Sequence, residues 1–433
     1  MTRGTACERL DQALARIDDP KGEGARACLT IYRAGARAAA EAADARSKAG
    51  ITLGPLDGAI VTVKDLFDVA GEVTRAGSKV LADEGKPAAA DAPVVRRLRQ
   101  AGAVIVAKTN MTEFAFSGIG ANPHYGTPGN PADRARIPGG SSSGGAVAAA
   151  DGMCEIAIGS DTGGSTRVPA ALCGIVGYKP SRLRISRDAV YPLSQSMDSI
   201  GPMARSVADC VRADAVMAGE ERSPLPAPAP ALGDVRIAVA KGMPVDNLDA
   251  TVAKAFAQAL ERLTKAGARL GDKALPLLDG MAEVNKRGGV QPAEAFTVNR
   301  DLLDRRGADI DPNVRARLER ARSISAADYI WMANERDALV RRMDAWLADV
   351  DVLAMPTCPI VAPTLAEVAA PEDFARKNAM VLRNTSVWNF FDCCAISLPI
   401  PGPGLPVGLM LVARNGQDRQ LFAVAAAVER SLG

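Results

Sequence analysis

Two serine–glycine segments carry the residues that could do covalent chemistry in this chain. They are PGGSSSGG at residues 138–145 and GSDTGGSTR at residues 159–167. A flexible linker is an alternative for the first segment, because serine and glycine runs often serve as linkers. The second segment follows the apolar run EIAI and precedes another apolar stretch, where glycines usually mark close backbone approach or exposed N–H groups. The pattern favours serine chemistry supported by backbone donors.

The single histidine, His124, excludes most histidine-dependent chemistry. A His-rich metal site is impossible, and any His-based triad would have to use this residue. The letters GSSSG at 140–144 match a nucleophile elbow, but no strand precedes them and His124 lies upstream, not downstream. Neither glycine segment has the lysine of a phosphate loop, and GIGANP at 118–123 lacks the third glycine of a dinucleotide fingerprint. We therefore expect neither a metal nor an organic cofactor, and His124 is interpreted as a loop or rim residue and not as a catalyst.

Serine chemistry without histidine needs another base, and Lys64 is the candidate. It ends the apolar run IVTV, which predicts a buried strand. Lysine acts as a base when it is neutral, and desolvation lowers its pKa toward that state. The alternative is a surface lysine whose stem lies along apolar groups.

The elements that must position these residues alternate between strands and helices. This order predicts an α/β fold, with a mixed central sheet flanked by helices on both faces. Asp91 is predicted to cap one helix and Ser206 another, and a helix is predicted from about 249 to 266. We expect one domain over 1–433, with a helical lead-in (1–50), a core (51–220), a Pro/Ala-rich connector (221–233) and a part that completes the same sheet (234–433). A charged helical stretch is expected from about 296 to 348.

Composition and charge narrow the class of protein. The 433 residues are 48% apolar and carry 52 Lys+Arg against 50 Asp+Glu, a formal charge of +2. This apolar content argues against disorder, and the near-neutral charge argues against a bulk nucleic-acid binder. Eight irregularly spaced cysteines without a CxxC pair are typical of free thiols, and we see no signal peptide or spanning segment. We predict a soluble cytoplasmic protein.

These residues resemble the amidase signature family of serine hydrolases. The matching segments run in order along nearly the whole chain: LDGAIVTVKD (56–65), KTNMTEF (108–114), NPHYGTPGNP (122–131), PGGSSSGG (138–145), GSDTGGSTRVPAALCGIVGYKPS (159–181), SMDSIGPMARSVAD (196–209), DVLAMPT (351–357) and GLPVGLMLVA (404–413). The resemblance implies the single-domain amidase signature fold and no cofactor.

Carried over by residue, the family's Ser–cis-Ser–Lys triad falls on Ser165, Ser141 and Lys64. The separation of the two serines, 165 − 141 = 24, agrees with the family pattern and selects Ser141 as the bridging serine, with a cis Gly140–Ser141 peptide. The resemblance also implies an oxyanion hole, supporting hydrogen bonds and a substrate channel. The residues are Thr162, Gly163, Gly164 and Ser165 for the oxyanion, Ser142 and Asp161 for support, and Ala115 and Ser117 for the channel. Arg167 is either a structural ion-pair partner, which we favour, or a ligand for a substrate carboxylate.

The sequence departs from the family at Ile60, where proline is frequent, and near Leu183 and Ala189, where glycine is usual. These positions affect loop shape and the substrate pocket. The expected function is hydrolysis of a small-molecule carboxamide through an acyl-serine intermediate, giving a carboxylate and ammonia or an amine. One alternative is the ammonia-producing component of a tRNA-dependent amidotransferase, its A subunit, and another is a binding protein with an inactive site. A homodimer is the oligomeric state that the resemblance implies; no nucleic acid and no membrane partner is expected.

Overall fold

The computed structural model describes residues 4–220 and 229–433. The first eight residues of the predicted connector, 221–228, lie outside the described residues. Within those ranges no helix is long and apolar enough to cross a membrane.

Eleven strands in the described residues form one mixed sheet. They are β1 Cys28–Ile31, β2 Ile60–Lys64, β3 Val104–Thr109, β4 Ile156–Asp161, β5 Val176–Lys179, β6 Ser199–Ala204, β7 Ile237–Lys241, β8 Leu270–Ala274, β9 Val352–Pro356, β10 Cys394–Pro399 and β11 Gly408–Ala413. Their order across the sheet is β1-β3-β2-β4-β6-β5-β10-β11-β9-β7-β8. β2 runs parallel to β3 and β4, and β7 runs parallel to β8 and β9, whereas the strands between β4 and β9 pair antiparallel. The mixed sheet confirms the predicted fold class.

Helices cover both faces of this sheet. They are α1 Ala6–Asp18, α2 Gly24–Ala27, α3 Arg33–Lys48, α4 Lys79–Glu84, α5 Pro93–Gln100, α6 Ser143–Ala150, α7 Arg167–Cys173, α8 Val207–Ala218, α9 Ala250–Lys265, α10 Leu278–Asn285, α11 Val290–Arg306, α12 Pro312–Ala321, α13 Ala326–Trp346, α14 Pro371–Phe390 and α15 Asp418–Leu432. Alternate residues of β4 enter different cores: Ile156 and Ile158 pack with α5, α8 and α15, and Ala157 packs with α1, α3 and α6. Strand side chains alternate between faces, so both faces are apolar.

The sequence predicted several element ends correctly and missed others. Ser206 caps α8 by accepting from Asp209 N, and Asp249 caps α9 by accepting from Thr251 N. The prediction for Asp91 was wrong, because Ala92 is the N-cap of α5 and the Asp91 carboxylate instead accepts from Ala70 N.

Two predicted helical stretches are interrupted. The lead-in contains β1, a short edge strand that pairs antiparallel with β3. The charged region 296–348 contains the end of α11, all of α12 and all of α13, because turns break it at 307–311 and 322–325. Asp311 and Ser325 cap the helices that follow these turns.

Candidate active site

The ends of β2 and β4 bring the first site residues together. The two strands are parallel neighbours, with Val63 opposite Ile158, so their carboxyl ends meet at one edge of the sheet. Lys64 ends β2, and its Nζ lies 2.7 Å from Ser141 Oγ and 2.9 Å from Ser160 Oγ. Its side chain is 0% exposed. The alternative of a surface lysine is therefore wrong.

Burial sets the protonation of Lys64. Desolvation lowers its pKa to about 7, although the carboxylates of Asp161 and Asp198 act in the opposite direction. Its two hydrogen-bond partners, Ser141 and Ser160, contribute hydroxyl groups, and neither neutralises an ammonium. A neutral amine next to a hydroxyl is able to take its proton.

Ser141 lies in a buried loop before α6. The Gly140–Ser141 peptide is cis, as the resemblance implied. Ser141 O accepts from Thr112 N at 3.1 Å, and the next residue, Ser142, donates its backbone N–H to Ser165 O at 3.3 Å. Ser142 Oγ donates to Ser160 O at 3.3 Å. The loop is a fixed, buried part of the structure and not a linker.

The turn at 162–165 connects β4 to α7 and presents Ser165 next to that loop. Gly164 has φ +136°, and a Cβ there would lie 2.1 Å from Thr385 Oγ1, so this position requires glycine. Thr385 Oγ1 also donates to Gly163 O at 2.7 Å. These contacts hold one peptide oxygen of the turn against α14. A turn held this way is suited to offering N–H groups to a developing oxyanion.

Asp161 and Arg167 form a buried ion pair beneath the turn. Arg167 Nε lies 3.0 Å from Asp161 Oδ2, and Arg167 Nη2 lies 2.9 Å from Asp161 Oδ1, with both side chains 0% exposed. Asp161 also accepts from Thr166 N and Asn389 Nδ2. Burial alone would raise the pKa of Asp161, but Arg167 holds it well below its usual value. Both carboxylate oxygens contact Arg167, which favours the structural interpretation of this arginine.

The loop at 113–118 forms the other wall of the site. Phe114 and Ala115 have left-handed backbone conformations, with φ 50° and 58°. Ser117 Oγ donates to Asn378 Oδ1 at 3.1 Å, and a Cβ on Gly140 would lie 2.9 Å from Ser117 O. Ser117 is therefore adjacent to the cis peptide by its backbone, while its hydroxyl bonds to α14.

Arg317, on α12, reaches the same loop. Its Nη1 donates to Phe116 O at 2.9 Å, and its guanidinium carbon lies 4.1 Å from the centre of the Phe116 ring. The side chain is half-buried, and it forms no ion pair with any residue in 4–220 or 229–433. Nothing in the sequence indicated this arginine, because its relation to the site depends on the packing of α12.

The structure also shows the histidine, the cysteines and the two positions near Leu183 and Ala189 that the sequence analysis named. His124 is half-buried and its Nε2 lies 3.1 Å from Glu113 Oε2. Leu183 and Ala189 have φ 69° and 57°, the left-handed region that glycine adopts most readily. Seven of the eight cysteines are buried, Cys7 is partly exposed, and none forms a disulfide. No cluster suited to a metal ion occurs among the described residues.

The sequence analysis missed four residues that hold this site. They are Ser160, Asp198, Thr385 and Asn389, through their contacts with Lys64 Nζ, Thr162 Oγ1, Gly163 O and Asp161 respectively. Ser160 and Asp198 lie inside matching segments, and that position was an available signal. Thr385 and Asn389 lie more than 200 residues from their partners along the chain, and no local pattern marks them.

Comparisons with known proteins show which family this chain is similar to. A family model described as Amidase matches residues 9–422. The chain is 37% identical over 409 residues to 2-amino-5-chloromuconic acid deaminase from Comamonas testosteroni, covering 92% of this chain and 87% of that protein. It is 35% identical over 465 residues to the A subunit of glutamyl-tRNA(Gln) amidotransferase from Anaeromyxobacter sp. (strain K), and the match covers 99% of this chain and 93% of that protein. An amidase crystal structure superposes with a TM-score of 0.87 at 34% identity, and the match covers 100% of this chain and 97% of that chain.

Proposed function

The chain belongs to the amidase family and hydrolyses carbon–nitrogen amide bonds, and we propose that Ser165, Ser141 and Lys64 carry out this reaction through an acyl-enzyme. Ser165 Oγ attacks the amide carbonyl and forms a bond to its carbon. The Ser165 proton passes to Ser141 Oγ as Ser141 gives its own proton to neutral Lys64. The protonated lysine then returns a proton by the same path to the leaving nitrogen, because an amide anion is too basic to depart alone.

Water completes the cycle by the same relay. It attacks the acyl-ester carbon, its proton moves through Ser141 to Lys64, and Ser165 leaves with a returned proton. The products are a carboxylate and ammonia or an amine. The N–H groups of the Thr162–Ser165 turn stabilise the oxyanion in both steps. Ser142 and Asp161 support the site through the hydrogen bonds described above.

One observation carries this proposal. Lys64 Nζ is fully buried at 2.7 Å from Ser141 Oγ, with only hydroxyl partners and a pKa lowered to about 7. An ammonium with an ordinary lysine pKa would be protonated at neutral pH and unable to accept a proton.

The test is turnover of a panel of aliphatic, aryl and dicarboxylic monoamides, followed by released ammonia or amine. Ser165→Ala is the blank, and Ser141→Ala and Lys64→Met should each lose about 10²-fold or more of the wild-type rate. A fluorophosphonate probe should label wild-type enzyme at Ser165. Turnover by Ser165→Ala equal to that of wild type would overturn the proposal.

A carboxylate-bearing amide is the substrate class that Arg317 supports. Arg317 is half-buried beside the 113–118 loop without a carboxylate partner in the described chain. Guanidinium groups bind carboxylates in bidentate fashion, and a partly desolvated one has much to gain from such a ligand. The relative from Comamonas testosteroni is named for an acid substrate, which supports an acidic substrate here.

Arg317→Met tests this substrate class. Hydrogen bonds to charged groups contribute about 1.5–3 kcal/mol, so kcat/KM for a dicarboxylic monoamide should fall by about 10- to 150-fold. An uncharged amide of the same length should change little. Arg320→Met, an exposed neighbour on the same helix, is the matched control. Equal losses for charged and uncharged amides would contradict carboxylate binding.

The amidotransferase components are a second group of relatives at 35% identity. Glutaminase activity that appears only after addition of partner proteins would favour that function. The solved A subunit from Thermotoga maritima superposes with a TM-score of 0.72, lower than the 0.87 of the amidase, and this favours a stand-alone hydrolase. The cysteines without disulfides support a cytoplasmic location. The homodimer remains a prediction, which size-exclusion chromatography with light scattering would test.

A further inference from the structure

Asp198 lies outside the relay. It contacts the turn at 162–165 and lines a cavity together with Ser160, which is a hydrogen-bond partner of Lys64. It immediately precedes β6, which pairs antiparallel with β4 so that Ser199 lies opposite Asp161. One step further along this register, Asp198 lies opposite Thr162, the first residue of the turn that faces the oxyanion. Thr162 Oγ1 donates to Asp198 Oδ1 at 2.5 Å.

The remaining partners of Asp198 are backbone groups of its own loop. Leu193 N donates to Oδ2 at 2.9 Å, and Ser194 N lies 3.1 Å from both carboxylate oxygens. Within the described residues this carboxylate forms no ion pair. It therefore joins the loop at 193–198 to the oxyanion turn. Burial raises the pKa of Asp198 to about 6, against the opposing effects of its hydrogen bonds and of Arg187, so the carboxylate is mostly ionised at neutral pH.

A cavity places this charge near the base. About 40 Å³ in volume, it is lined by Ser160, Thr162 and Asp198, with Ala115 and Tyr191 on the loop side. Ser160 Oγ lies 2.9 Å from Lys64 Nζ, so one wall of the cavity belongs to the partner of the base and another to Asp198. The negative charge of Asp198 favours the protonated form of Lys64 and raises its pKa against the effect of burial.

Other charged groups face Lys64 as well. Asp161 on β4 also raises the pKa of Lys64, but its two oxygens contact Arg167 on α7. Arg187, in the loop before Asp198, lines the same cavity and donates to Gln195 O at 2.6 Å. Asp198 is thus a carboxylate near the base that no cation of the described chain contacts.

We propose that Asp198 is a positioning residue of the amidase reaction, which holds the oxyanion turn through Thr162 and adjusts the proton affinity of Lys64 by its charge. This inference rests on the proposed function of Ser165, Ser141 and Lys64. The two roles separate experimentally, because one depends on a hydrogen bond and the other on a charge.

The experiment compares Asp198→Asn with Thr162→Val across pH. Asp198→Asn should lower kcat by about 10- to 100-fold with little change in KM, because the turn loses its anchor while substrate contacts remain. The rate should rise with pH as Lys64 loses its proton, and we call this part of the pH profile the rising limb. In Asp198→Asn the rising limb should move to lower pH, since Lys64 loses a nearby negative charge. Thr162→Val should lower kcat but move the limb less than Asp198→Asn does, because the Asp198 carboxylate remains although it loses a hydrogen bond that lowers its pKa. Asp188→Asn, an exposed acid in the same loop, should leave both quantities unchanged.

The rate of fluorophosphonate labelling at Ser165 gives a second readout of Lys64 on folded enzyme, and circular dichroism verifies folding. If Asp198→Asn is folded but its limb and kcat match wild type, the inference fails even though the enzyme still depends on Ser165. If Ser165→Ala retains activity, the proposed function itself fails. A variant that loses kcat but keeps the wild-type limb shows a purely structural Asp198 and also overturns the inference.

Discussion

The pH dependence of the reaction tests the central role of Lys64. Its pKa is lowered from 10.5 to about 7 by burial. A lysine with a pKa of about 7 is roughly 90% neutral at pH 8, whereas one at 10.5 is roughly 0.3% neutral. Burial therefore increases the fraction of usable base by about 300-fold at that pH. The neutral form accepts the proton, so activity should rise as the pH rises through about 7 and then level off.

The assay is ammonia release under kcat/KM conditions from about pH 5.5 to about pH 8.5. Below pH 7 the rate should fall by about tenfold per pH unit. Lys64→Met should remove the dependence together with about 10²- to 10⁴-fold of the rate, which is the usual contribution of a general base. Ser165→Ala supplies the blank at every pH.

Two other buried groups titrate close to the pKa of Lys64, and their effects on the pH profile have to be distinguished from that of Lys64. Burial raises the pKa of Asp65 and that of Asp198 to about 6 in each case. Asp65→Asn and Asp198→Asn should each retain a rising limb, because Lys64 is still present. Fluorophosphonate labelling of Ser165 follows the base without requiring an amine to leave. A labelling rate and a turnover rate that are both flat across this range in folded wild type would refute the neutral-lysine mechanism.

The remaining predictions concern the ion pair and the glycines. Asp161→Asn leaves the Arg167 guanidinium buried without its carboxylate and should lower the free energy of unfolding by about 3–5 kcal/mol, measured by urea titration. Arg167→Met removes the cation from both Asp161 oxygens, so Asp161 should raise the pKa of Lys64 and move the rising limb of the pH profile to higher pH. A limb that moves to lower pH would contradict this reasoning. Gly164→Ala should abolish turnover in a folded enzyme, because its Cβ would lie 2.1 Å from Thr385 Oγ1. Gly35→Ala, in α3 with no atom within 4 Å of the added carbon, should raise the unfolding free energy by about 0.4–1 kcal/mol in the same titration.

The parts of the site that came from sequence are those encoded by local pattern. IVTV and the IAI of EIAI are short apolar runs, and each lies in a strand that ends at a site residue. The glycines of the 162–165 turn mark positions where backbone conformation and close approach exclude a side chain, as the structure shows for Gly164. These features are visible because the physical cause and the residues lie within a few positions of each other.

The parts that sequence did not reveal depend on pairing between distant segments. β1 was hidden in a helical lead-in because its four residues gain their strand geometry only from β3. Asn389 and Thr385 acquire their roles when α14 packs over the turn, and their residue types alone are equally suited to an exposed helix face. Asp91 was misassigned because an acid before a proline resembles a cap, but here the carboxylate bonds to Ala70 N and pairs with Arg99.

The distribution of charge around β4 explains how the pKa of a buried lysine stays low beside a buried carboxylate. Asp161 and Lys64 end neighbouring strands, and a direct contact between them would stabilise the ammonium and remove the base. Arg167 prevents this because its fork contacts both oxygens of Asp161, and an arginine keeps its charge under all ordinary conditions. Lys64 is left with the hydroxyls of Ser141 and Ser160, which accept or donate hydrogen bonds without supplying charge. Arg167, which stays charged, is therefore the cation that pairs with Asp161. The titratable amine of Lys64 remains free to exchange a proton with the serines.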